Sequence, residues 1–220
     1  MKILDVKQGS DEWLAARLGI VTASELDALV TPLWKARTGD GTRTYLARKI
    51  AERWRGQPLT AYHGGSMEQG SLREDEAFSW YELDRDVTMR KVGFILTDDG
   101  KMGCSPDGLM DDGGIEIKCP EPHTHVGYLL DGELPSEYRA QVYGSMLVTG
   151  LPRWNFMSYC RGFPPLVLTI ESDPAVMEAI RSAVAAFQTR LDEAWKKIVD
   201  RNGGPPMKYE PAPLDPDYVF

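Results

Sequence analysis

Cys104-Ser105-Pro106-Asp107-Gly108 is followed, six residues on, by Gly114-Ile115-Glu116-Ile117-Lys118. The second run alternates apolar and charged residues. That predicts a strand with Ile115 and Ile117 on one face and Glu116 and Lys118 on the other. Asp111-Asp112-Gly113-Gly114 supplies turn-forming residues just before it. Asp107 precedes Glu116 by nine positions, so a hairpin brings both carboxylates to one point beside an ammonium. Carboxylates held that close repel unless a cation joins them. Oxygen donors alone favour Mg²⁺ or Mn²⁺ over zinc. A divalent ion there acidifies a water and polarises a phosphoryl oxygen. Lys118 then orients that water, takes its proton, or offsets charge building on the phosphate. Asp followed by Glu-x-Lys is thus a donor set suited to phosphodiester hydrolysis. An ordinary hairpin also carries Glu-x-Lys on its wet face, so the rest of the chain has to decide.

Upstream, helix patterns dominate. Ser10 is placed to cap a helix over 11–18, with Asp11 and Glu12 in its first turn and Gly19 beyond its end. Residues 22–30 read as a second short helix capped by Thr22. Leu46, Ile50 and Trp54 mark one face of a third over 43–55, and 66–81 reads as a fourth. The period then changes to strands over 87–97, 102–104 and 115–119. Helix returns at 136–148, strands at 154–160 and 166–170, and a final helix runs to 199. Phe156, Trp154, Phe187 and Trp195 read as core. Residues 1–203 form one domain in this reading, and 204–220 a Pro-rich tail. The element order predicts an α/β fold with a mixed sheet.

Composition sets bounds. A chain of 220 residues with three scattered cysteines can build a core without disulfides and fits a reducing cytoplasm. No leader and no membrane-length apolar run is visible. The net charge of −8 argues against a nucleic-acid partner, but residues 35–55 carry +5 and the remainder −13. That stripe is either a phosphate-contacting surface or a solvated helix face. Cys104 and Cys119 read as small buried hydrophobes. His123-x-His125 lacks further ligands at zinc spacing and reads as a surface loop near the carboxylates, within reach of DNA phosphates.

Four separated segments add a resemblance. They are Gln8-Gly9-Ser10-Asp11-Glu12-Trp13 with Arg17-Leu18-Gly19-Ile20-Val21-Thr22-Ala23-Ser24-Glu25; Gly70-Ser71-Leu72-Arg73-Glu74; Cys104 to Leu109 with Glu116 to Pro120; and Tyr138-Arg139-Ala140-Gln141-Val142 before Ser145-Met146. In this order they resemble the phage lambda-type exonucleases, or YqaJ-like viral recombinases, a branch of the PD-(D/E)xK nuclease superfamily. The Arg-Leu-Gly-Ile-Val-Thr-Ala-Ser run is the most branch-specific of them. Residues 31–65 match the pattern poorly.

The resemblance implies a restriction-endonuclease-like core, with a central mixed β-sheet flanked by helices. It implies that Asp107, Glu116, Glu74 and the Ile117 backbone carbonyl hold two Mg²⁺ ions, with Mn²⁺ able to substitute. Lys118 then resembles the catalytic lysine, and Gln141 the glutamine that sets water and lysine. Arg17, Ser24 and Ser105 resemble a pocket for a 5′-terminal phosphate, a role that suits a guanidinium fork and hydroxyls. Taken alone, Arg17 is a cation satisfying the end of a helix. The implied activity is 5′→3′ digestion of one strand of linear duplex DNA to mononucleotides, leaving a 3′ overhang for strand annealing. A homotrimeric ring, a single-strand annealing protein and a phage or prophage setting in a bacterial cytoplasm complete the expectation. A PD-(D/E)xK endonuclease and a non-catalytic DNA-binding recombination scaffold stand as alternatives.

Overall fold

The computed structural model describes residues 1–59 and 64–203, without the side chains of 64–71. The tail expected over 204–220 lies outside the described residues. A short strand β1 (Lys2–Leu4) leads to helix α1 (Asp11–Arg17), strand β2 (Val21–Thr22) and a 3-10 turn over Ala23–Ala28. Helices α2 (Asp40–Arg55) and α3 (Gly64–Arg85) precede strands β3 (Phe94–Leu96), β4 (Met102–Cys104), β5 (Gly108–Met110) and β6 (Gly113–Lys118). Helices α4 (Pro122–Asp131) and α5 (Ser136–Thr149), strands β7 (Arg153–Ser158) and β8 (Leu166–Glu171) and helix α6 (Pro174–Arg201) follow. The fold is α/β with mixed sheets flanked by helices. The strands divide into two four-stranded sheets, ordered β1-β3-β4-β2 and β5-β6-β7-β8.

Local chemistry explains the boundaries. Ser10 Oγ accepts from the Trp13 N–H at 3.3 Å and starts α1. Asp173 Oδ1 accepts from the Ala175 and Val176 N–H groups and starts α6. The β5–β6 hairpin needs glycine at 114 because a Cβ there would meet the Trp154 ring at 2.4 Å. That close approach lets Trp154, fully buried, pack directly against β6. Parallel pairing of β6 with β7 sets Glu116 opposite Phe156 and Lys118 opposite Ser158.

Two apolar clusters flank these sheets. The larger gathers Leu26, Tyr45, Ile95, Met146, Trp154, Phe156, Ile180 and Phe187, with Trp195 packed at its margin. The smaller places Ile115 and Ile117 against Ala77, Phe78, Tyr81 and Met157. The predicted inward face of β6 is therefore the face that meets α3.

Several expectations are corrected. Only Phe94–Leu96 of the run 87–97 is strand, since the earlier part makes just an isolated bridge from Arg90 to Leu109. The second short helix is a 3-10 turn whose Thr22 side chain does not cap it. His125 is not on a surface loop: it lies on α4, fully buried. Its Nδ1 sits 2.7 Å from Ser158 Oγ and its Nε2 3.1 Å from the Pro164 carbonyl. Helix α4 itself was not expected, and Pro122 occupies its first turn, where a missing N–H costs nothing.

Part of the basic stripe of 35–55 is paired within the protein, while Lys35, Arg37, Arg43 and Arg55 are exposed. Lys49 is 3 % exposed and pairs with Glu25 at 2.8 Å and Glu52 at 3.1 Å. Arg48 pairs with Glu25 at 2.6 Å, and Arg53 with Asp192 at 3.3 Å. A buried ammonium has to be paired, and the neighbouring acids exist for that purpose.

Candidate carboxylate–lysine site

The geometry begins with β6. Glu116 is 2 % exposed, although it stands on the polar face of its strand. One oxygen, Oε1, accepts from Lys118 Nζ at 2.5 Å and from Gln141 Nε2 at 2.6 Å. Gln141 comes from α5, which packs across the strands. The other oxygen, Oε2, is buried and has no hydrogen-bond partner. Asp107 lies in the turn before β5, and its Oδ2 accepts from the Ile117 N–H at 2.6 Å. The N–H and C=O of a strand residue leave to the same side. The Ile117 carbonyl therefore faces the same edge of β6 as Asp107. Glu74, on α3, joins Asp107 and Ile117 in the wall of a cleft of about 390 Å³.

The electrostatics describe a site short of positive charge. Burial pushes the Asp107 carboxyl well above its ordinary value, with Glu116 adding repulsion and Lys118 opposing it. Burial raises Glu116 as well, against the pull of Lys118 and Gln141. Glu74 is raised by desolvation, eased by Lys118 and reinforced by Glu116. Burial pulls the Lys118 ammonium down, but Glu116 and Asp107 outweigh it, so Lys118 holds its proton firmly. Lys118 Nζ also lies 5.2 Å from the centre of the Tyr138 ring. Cys119, next in sequence, is pushed up to about 12 by burial and by Glu74 and Asp107. Its thiol is therefore inert at neutral pH.

These donors fit a hard divalent ion. The buried Glu116 Oε2 without a partner and the Ile117 carbonyl belong to β6, and the Asp107 carboxylate is bonded to that strand through Oδ2. Among the described residues, no group of three or more His, Cys, Asp or Glu stands as a ready-made cage. The site offers a carboxylate pair with Glu74 across the cleft, which suits Mg²⁺, an ion that keeps several of its waters.

A second group assembles one turn away. Arg17, at the end of α1, points Nη2 at Ser24 Oγ, 3.3 Å away, and Nη1 at Ser105 Oγ, 3.4 Å away. Its guanidinium carbon sits 4.2 Å over the Trp13 ring. Ser105 also accepts from Trp13 Nε1 at 2.8 Å. Arg17, Ser24 and Ser105 thus converge, two residues from Asp107, in a cluster of donors shaped for an anion. Trp13 and Gln8 were quoted in the first sequence segment without a role. Both turn out to contact the Ser105-Pro106 stretch, a relation that pairs residues more than 90 positions apart and leaves no local signal.

Comparisons with known proteins bear on the family and the fold. The pattern of the YqaJ-like viral recombinase domain matches residues 12–152. The alkaline exonuclease LHK-Exo from Laribacter hongkongensis is 30% identical, with 88% of this chain and 98% of that chain covered and a TM-score of 0.78. The same enzyme in complex with dAMP gives 31% identity, the same coverage and a TM-score of 0.77. A phage-related exonuclease from Haemophilus somnus 129PT shares the fold at 12% identity, covering 81% of this chain and 96% of that one, with a TM-score of 0.65. Comparison with curated proteins finds no significant match.

Proposed function

This chain belongs to the YqaJ-like viral recombinase family, and on that premise we propose that it is a Mg²⁺-dependent 5′→3′ exonuclease acting on the ends of linear double-stranded DNA. The family and the exonuclease neighbours support a nuclease role. The observation that carries the reading is Glu116, whose Oε2 is buried and unpartnered while Lys118 and Gln141 hold Oε1.

Each side chain has a task in this reading. Glu116 Oε2, the free oxygen of Asp107, the Ile117 carbonyl and Glu74 would hold two Mg²⁺ ions, with Mn²⁺ as a substitute. Such ions, when bound, polarise a phosphoryl oxygen and acidify water. Gln141 keeps the Glu116 carboxylate from rotating. Lys118 stays protonated, so its ammonium donates to the scissile phosphate and offsets the charge that grows there. Arg17, Ser24 and Ser105 grip the 5′-terminal phosphate and set the next linkage over the carboxylates. The structure of LHK-Exo with dAMP fits mononucleotide products for this chain too.

The remaining assignments extend the same proposal. A single nuclease domain spans 1–203, followed by the tail 204–220. Three copies form a ring around the duplex, and a single-strand annealing protein takes up the 3′ overhang. A closed ring keeps an acidic protein on DNA by linkage rather than charge. The setting is the cytoplasm of a bacterial host, with the gene carried by a phage or prophage. No helix among the described residues is long and apolar enough to cross a membrane.

The test is digestion of a linear duplex labelled at either 5′ or 3′ end, with and without a 5′-phosphate. Label is expected to leave 5′ ends first, faster where they are phosphorylated. Arg17→Ala is expected to erase most of that phosphate advantage, about tenfold or more for a charge-assisted contact worth roughly 1.5–3 kcal/mol. Equal losses on phosphorylated and hydroxyl ends would take the phosphate role from Arg17.

A further inference from the structure

The segment before α1 reaches the carboxylate cleft with a side chain that the assignments above leave unused. Gln8 stands in the cleft wall with Asp107, Glu74 and Ile117. Its amide nitrogen donates to the Val92 carbonyl and to the Pro106 carbonyl, each at 2.9 Å. Both N–H bonds of the carboxamide are therefore spent on backbone far away in sequence. Five residues on, Trp13 Nε1 donates to Ser105 Oγ at 2.8 Å. The two contacts grip Ser105 and Pro106, the dipeptide directly before Asp107. From the other side, β6 holds Asp107 through its N–H to the Ile115 carbonyl at 3.2 Å and through the Ile117 N–H to its carboxylate. The grip is also continuous with the anion cluster, since Arg17 stacks on Trp13 and reaches Ser105.

We propose that Gln8 and Trp13 are positioning residues whose grip on Ser105-Pro106 sets Asp107 for a divalent cation and links cation affinity to occupancy of the Arg17 pocket. The proposal rests on the metal-dependent nuclease reading and deepens it. Mg²⁺ and Mn²⁺ tolerate little error in ligand placement, and groups one shell out from the metal fix that placement. Removing the Gln8 carboxamide leaves the carbonyl of Pro106, a buried residue, without its partner. The turn then gains freedom at the point where Asp107 leaves it. An anion that holds Arg17 and Ser105 restricts the same dipeptide, so each ligand favours the other. Such coupling is reciprocal by linkage.

The experiment titrates Mn²⁺ into the full chain by calorimetry, without turnover. Gln8→Ala and Trp13→Phe are each expected to weaken Mn²⁺ binding about tenfold. In the wild type, a 5′-phosphorylated oligodeoxynucleotide with non-hydrolysable methylphosphonate linkages is expected to tighten Mn²⁺ binding more than its 5′-hydroxyl counterpart, and Trp13→Phe to narrow that difference. A merely structural role would lower the melting temperature in EDTA and leave Mn²⁺ affinity untouched. Mn²⁺ binding as tight as wild type in both variants overturns the proposal, and if Gln8→Ala does not fold, Trp13→Phe decides alone. Equal effects of the two oligonucleotides on the wild type remove the linkage. A wild type that takes up no Mn²⁺ removes the metal reading beneath, an outcome distinct from wild-type-like variants.

Discussion

Asp107 shows what the side chains of this site cost the fold. Its carboxylate is packed beside Glu116, and burial with like charge pushes its titration well upward. Held ionised without a cation, such a group destabilises the protein that contains it. Asp107→Asn keeps an oxygen for the Ile117 N–H and removes the charge. In EDTA the variant is expected to melt about 2–4 °C above the wild type, corresponding to roughly 1 kcal/mol for a chain of this size. Mn²⁺ is expected to stabilise the wild type and to leave the variant nearly unchanged. Thermal denaturation with and without metal measures both, and a variant that melts lower in EDTA and gains equally from Mn²⁺ would contradict the electrostatic account. At this scale the sequence was informative where spacing carried the signal. Glu116 and Lys118 two apart on a strand share a face in any register. The orphaned Glu116 Oε2 was not legible, because it depends on Gln141 arriving from α5.

Helices and strands differ in how far sequence alone located them. The long amphipathic helix α6 declares itself through its period and its Asp173 cap, and α5 through the Gly150 that ends it. Strands β1, β2 and β5 have three residues or fewer and hold too few alternations to be seen. Their pairing is supplied by neighbours, as when β5 zips to β6 through Gly108 and Ile115. Helix α4 was hidden by prolines, and with it the role of His125. A carbonyl can only accept, so His125 carries a proton on Nε2 toward Pro164, while Nδ1 is hydrogen-bonded with the Ser158 hydroxyl. That lock ties α4 to β7 at the register position facing Lys118. His125→Ala is expected to cost about 2–4 kcal/mol in chemical denaturation, from a cavity and two unmet polar partners. A loss below about 0.5 kcal/mol would show that the lock contributes little.

For the whole molecule, charge and topology pull in different directions. The chain is acidic, with a net charge of −8; Arg48, Lys49 and Arg53 of its basic stripe are spent on Glu25, Glu52 and Asp192, while Lys35, Arg37, Arg43 and Arg55 are exposed. Net charge therefore says little about where DNA runs, and the stripe illustrates how a sequence window conceals internal pairing. The class of fold was readable because the four motif segments lie in one order along the chain. The division into two sheets was not, since strand order depends on contacts between distant segments. What unites the levels is placement: β6 presents Glu116 and Lys118, the turn before β5 brings Asp107, and α3 closes the cleft with Glu74.

The most direct test is nucleotide release from linear duplex DNA by the purified wild type and by Lys118→Ala, each with Mg²⁺ and with EDTA. The account predicts release by the wild type in Mg²⁺, none in EDTA, and a fall of at least about 100-fold in Lys118→Ala. Release at the wild-type rate by Lys118→Ala, or by the wild type in EDTA, would contradict it.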